Sequence, residues 1–88
     1  MKASKDFILR SIAGESILVP VGAAAAKFNG LITMNGIGNF IFQALGEDQT
    51  EDSLVERIVA EYDVSRETAL ADLKEFLQQM RQIGALEE

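Results

Sequence analysis

The sequence predicts an α+β fold in which a three-stranded antiparallel sheet is followed by three helices, all within one domain over residues 1–88. Three observations carry this. The first third holds short runs rich in residues that suit a pleated surface, FILRSI, SILV and LITM. At Asn35 the apolar period changes from that of a strand to that of a helix, and two later segments keep the helical period. Each of the three helical segments starts just after a residue suited to cap it: Asn35, Thr50 or Ser65.

The strands come first. Residues 7–12, FILRSI, and 16–19, SILV, flank Ala13-Gly14, a tight-turn pair, so they form a hairpin. Pro20 has no N–H for a ladder and ends the second strand or lies on an edge. The connector AAAAKFNG follows, and its four alanines suit either a helical turn or a loop. Asn29-Gly30 is a turn pair that brings in LITM, residues 31–34, as the third strand.

The helices follow. Helix one runs from about Gly36 to Leu45, held by packing of Phe40, Ile41 and Phe42, and stops at Gly46, which suits a left-handed terminus. Gly36 and Gly38 weaken its start, each by up to about 0.8–1 kcal/mol relative to alanine. In helix two Glu51 and Asp52 sit in the first turn, where the helix dipole favours acids, and Leu54, Val55, Ile58, Val59 and Tyr62 share a face. Only Asp63 and Val64 separate it from Ser65, so the next turn is short. Helix three carries Ala69, Leu70, Leu73, Phe76, Leu77, Met80 and Ile83 on one stripe and ends at Gly84. Two helices across a tight turn beside a small sheet give a winged helix-turn-helix-like shape.

Composition restricts what such a domain does. Eight basic against fourteen acidic residues leave a net charge of −6, which opposes a phosphate-binding surface. The exposed face of the last helix mixes Arg66, Lys74 and Arg81 with Glu67, Asp72 and Glu75, unlike a DNA-reading helix. With no cysteine and no histidine, thiolate chemistry, the usual metal ligands and the commonest general base are all missing. Ser4, Ser11, Ser16, Ser53 and Ser65 lack a histidine partner, and no Ser-x-x-Lys pair occurs. The acids Glu47, Asp48, Glu51 and Asp52 match no calcium loop and fit a capped helix start. The expectation is a non-catalytic protein without metal or cofactor. No apolar run reaches the ~18 residues of a membrane span, and no secretory signal precedes the domain, so the expected location is the cytoplasm.

Several segments together resemble a known family: ILVPVG, KFNGLITMN, GIGNFIFQAL and ALADLKEFLQQMRQIGALEE. In that order, F-I-L-R, V-P-x-G, L-x-x-x-N and D-L-x-x-F-L-x-x-M resemble the PqqD-like family. Its members are peptide-binding modules named for pyrroloquinoline quinone biosynthesis, also called leader-peptide recognition elements of ribosomally made, modified peptides. The resemblance covers nearly the whole chain. It implies that a precursor's leader peptide pairs as an added strand on the third strand, beside the third helix, and is presented to a modifying enzyme such as a radical enzyme, cyclase or protease. The backbone of Leu31, Ile32, Thr33 and Met34 is then the template for pairing. Leu70, Leu73, Lys74 and Leu77 on one flank of the helix, or Asp72, Phe76 and Gln79 on the other, line the groove. A domain this small also needs most of the Leu70-to-Met80 stripe in its core. One departure is that Gly36 and Ile37 stand where family members often carry an acid or threonine. Two other classes stay open: a winged-helix DNA binder using Lys2, Lys5, Arg10 and Lys27, and a structural homodimer joined through the LITM edge.

Overall fold

The computed structural model describes residues 1–27 and 30–88, so the turn expected at Asn29-Gly30 lies partly outside the described residues. Along the chain the elements are β1 (Lys2–Ala3), β2 (Phe7–Ile12), β3 (Glu15–Pro20), α1 (Gly22–Lys27), β4 (Ile32–Met34), α2 (Gly36–Ala44), α3 (Glu51–Glu61), α4 (Arg66–Ile83) and β5 (Leu86–Glu87).

The hairpin of β2 and β3 closes through Ala13 and Gly14, both at positive φ (53° and 83°), the two-residue turn whose twist matches that of the strands. Its register pairs Ile12 with Glu15, Arg10 with Ile17 and Phe7 with Pro20. β4 adds antiparallel to β3, with Ser16 opposite Met34, Ile17 opposite Thr33 and Leu18 opposite Ile32. The sheet order is β2-β3-β4, which makes β4 an edge. Alternation turns Phe7, Leu18 and Met34 into the core and leaves Ile8, Arg10, Ile12 and Thr33 exposed on the outer face. Pro20 ends β3, where its missing N–H is harmless.

The caps sit where the sequence placed them. Asn35 Oδ1 accepts from the Gly38 N–H at 2.7 Å. Thr50 and Ser53 form a reciprocal capping box. Ser65 Oγ accepts from the Thr68 N–H, and Gly84 ends α4 at φ 77° while Ala85 N–H reaches back to the Met80 carbonyl. The centre of the core is made by the fully buried side chains of Leu18, Ile41, Leu45, Leu54, Ile58, Leu73 and Leu77.

Of the two alternatives open to the four alanines, they take the helical one, α1, which buries none of its residues. Four features differ from expectation. A second ribbon, β1 with β5, joins two-residue strands far apart in sequence, too short to show a period. Leu31 precedes the third predicted strand instead of opening it, and its side chain is 63% exposed. Gly46 does not take a left-handed conformation. The buried Leu45 keeps a near-helical turn (φ −75°, ψ 2°) and Gly46 N–H bonds to the Gln43 carbonyl, so the chain leaves by tightening. What Gly46 supplies is closeness, because a Cβ there would lie 3.2 Å from that carbonyl oxygen. Val59 is exposed, since it lies roughly 90° round α3 from the centre of the buried arc of Leu54, Val55 and Ile58.

Candidate functional site

The free edge of β4 follows from the hairpin geometry. In a two-residue hairpin the residues flanking the turn form the hydrogen-bonded pair, and bonded and non-bonded pairs alternate from there. Ile12–Glu15 and Arg10–Ile17 are then bonded pairs, so the Ile17 amide faces β2 and the amides of Ser16 and Leu18 face β4. Their partners Met34 and Ile32 bond back to β3. Thr33, between them, turns its N–H and C=O outward, away from the sheet. Among the described residues no other strand pairs on that side, so a polar main-chain pair is presented on the sheet edge.

Beside the end of β4, where α2 begins, lies a cleft of about 220 Å³ lined by Asn35, Ile37, Asp72, Glu75, Phe76 and Gln79. The four α4 residues have the spacing i, i+3, i+4, i+7, which is one helical face. The opposite wall is the first turn of α2, fixed from three sides. Asn35 caps it, the Tyr62 hydroxyl donates to the Gly36 carbonyl at 3.3 Å, and the Phe40 ring meets Tyr62 edge-on with centroids 5.5 Å apart. Gly38 lets this wall approach α4: a Cβ there would stand 3.1 Å from both Phe76 Cε1 and Asn35 Oδ1.

The site residues named from the sequence fall in different places. Asp72, Phe76 and Gln79 line the cleft, Phe76 being also a buried member of the core, and Thr33 lies on the neighbouring edge of β4. Leu73 and Leu77 are fully buried core residues; Leu70 and Ile32 are half-buried, Met34 is buried, and Lys74 and Leu31 are exposed. Asn35, Ile37 and Glu75 were not singled out as lining residues, although Glu75 follows from the spacing once Asp72 and Phe76 are placed on one face.

Charge around the cleft is one-sided. Among the described residues the ion pairs are Met1 with Asp48, Arg66 with Glu56 and Arg81 with Glu88, so neither Asp72 nor Glu75 is paired. The Met1 ammonium, by hydrogen bond and charge, holds the Asp48 carboxyl below its usual range. Among the described residues no group of three or more histidine, cysteine, aspartate or glutamate side chains is placed to hold a metal ion. None of the described helices is long and apolar enough to cross a membrane.

Among solved structures, TbiB1 in complex with the TbiA(beta) leader peptide matches with a TM-score of 0.78 and 28% sequence identity, covering 99% of this chain and 95% of that one. No curated protein matches the chain. The family model for coenzyme PQQ synthesis protein D (PqqD) matches residues 12–86, and the chain belongs to that family.

Proposed function

We propose that this protein captures the leader segment of a ribosomally made precursor peptide by strand addition to the open edge of β4 and presents it to a peptide-modifying enzyme. The observation that carries the reading is the outward amide of Thr33 beside the α4 cleft, in a fold shared with a chain solved on a leader peptide. Main-chain pairing with Thr33 supplies register. The leader residue opposite Thr33 shares its outer face, while the residues on either side, next to Ile32 and Met34, point inward toward α4. Two leader side chains spaced by two are therefore the anchors, and the one beside Met34 meets the cleft of Asn35, Ile37 and Phe76.

On this reading the 88 residues act as one recognition unit in the cytoplasm, transform nothing themselves and use no cofactor. We read α3, the turn and α4 with the hairpin as a winged helix-turn-helix-like arrangement turned to peptide binding, since the cleft face of α4 offers carboxylates where a DNA reader needs bases. The enzyme served is one that modifies the precursor, such as a radical enzyme, a cyclase or a protease.

The test is an amide-shift titration of the labelled protein with the leader of its cognate precursor. Shifts are expected at residues 31–37 and at Asp72, Glu75, Phe76 and Gln79. Shifts confined to Lys2, Lys5 and Lys27, or none, would overturn the proposal.

A further inference from the structure

The cleft has a chemistry of its own, and its apolar and charged parts are separately placed. The half-buried Ile37 and the small exposed part of the otherwise buried Phe76 give it an apolar surface, whereas Asp72 and Glu75 bring two carboxylates to the same face of α4. Neither carboxylate has a cationic partner among the described residues. The basic residues of α4 beyond its first turn, Lys74 and Arg81, lie roughly 160–180° round the helix from Asp72 and roughly 100–120° from Glu75, at about 100° per residue. The first turn of α2 brings the positive end of a helix dipole, worth roughly half a charge, which two full carboxylates exceed. Among the first-turn amides of α2, that of Gly38 already donates to Asn35 Oδ1.

From this juxtaposition we propose that the leader side chain entering the cleft is cationic, an arginine or lysine, and that Asp72 and Glu75 are the residues that select it. This rests on the strand-addition reading above. A long basic side chain fits both parts of the cleft: its methylene stem covers Phe76 and Ile37 while its head reaches the carboxylates. Arginine has the further advantage of a planar fork that matches a carboxylate. A leader acid in the same place meets two like charges, and a short apolar residue leaves both carboxylates without a counter-ion. The net charge of −6 adds a long-range attraction of the same sign.

The test selects peptides from a random dodecapeptide display library on the full chain and, separately, on D72K/E75K. Both substitutions sit on an exposed helical surface, with D72N/E75Q as the second variant should the reversed pair not fold. The wild type is expected to enrich arginine or lysine at one position two residues from an apolar anchor, and D72K/E75K is expected to enrich an acid there. A selected basic dodecapeptide should bind D72K/E75K on the order of tenfold more weakly, and its affinity for the wild type should fall as salt is raised. Selected peptides that shift the amides of residues 31–37 yet show no basic preference, or the same preference on both proteins, would overturn the charge assignment and leave strand addition standing. Failure of any selected peptide to shift those amides would overturn both.

Discussion

Replacing Thr33 with proline separates the two edges of β4. The alternation of bonded pairs gives the Thr33 N–H to the open side and the amides of Ile32 and Met34 to β3. Thr33→Pro therefore deletes a donor that the folded protein does not use. An edge strand tolerates proline at such a position, and the residue before it, Ile32, is already extended as proline requires. The loss of stability should stay near 1 kcal/mol, about 4–8 °C in the unfolding midpoint for a domain of this size. A bound leader, by contrast, loses a hydrogen bond worth about 0.5–1.5 kcal/mol net and also meets the pyrrolidine ring where its carbonyl stood. Together these should weaken binding at least tenfold, about 1.4 kcal/mol, by calorimetry with the cognate leader. Ile32→Pro should behave in the opposite way, because it removes a ladder bond to Leu18 and lowers the midpoint further than Thr33→Pro does. A folded Thr33→Pro protein that binds the leader as tightly as the wild type would refute strand addition at this edge.

The remaining expectations concern the cleft wall, the caps and the core. Gly36→Ala meets nothing within 4 Å and should stabilise the domain by about 0.4–1 kcal/mol in a denaturant titration. Gly38→Ala places a Cβ against Phe76 and Asn35 and should weaken leader binding more than it changes the unfolding midpoint; calorimetry and thermal melting on the same sample decide this. Thr50→Ala breaks the capping box and should cost about 0.5–2 kcal/mol of stability without altering affinity per folded molecule. Leu77→Glu buries a carboxylate at a position with no solvent exposure and should abolish the cooperative thermal transition rather than selectively weaken binding.

What was legible in the sequence was local. Asn35, Thr50 and Ser65 announce their helices because a capping oxygen is needed within three residues of the N–H it accepts from. The hairpin was readable for the same reason, since Ala13-Gly14 lies between two runs of β-formers. Features set by distant partners were not readable. Lys2 pairs with Glu87 across almost the whole chain, and neither strand is long enough to alternate. Gly46 looked like a left-handed terminus until the burial of Leu45 decided the exit of the chain. For the cleft, one helical stripe contains both core and lining residues, and only the position of α2 separates Leu73 and Leu77 from Phe76. Glu75 shares the face of Asp72 and Phe76, and that this face borders a cleft is decided by α2, which is distant in sequence.

The ribbon of β1 and β5 sets Lys2 opposite Glu87, so the chain enters and leaves the domain on neighbouring antiparallel strands, whose spacing is about 5 Å. A fusion at either end therefore departs from the same point. A modifying enzyme tethered ahead of the domain or behind it would start from one place relative to the groove, and the effective concentration of a captured leader at its active site would depend on linker length rather than on gene order. The same proximity makes the domain suited to insertion within a larger chain, entering and leaving through a single neck. It also suits circular permutation, with a short linker joining residues 88 and 1 and new ends opened at the exposed Ala13-Gly14 turn.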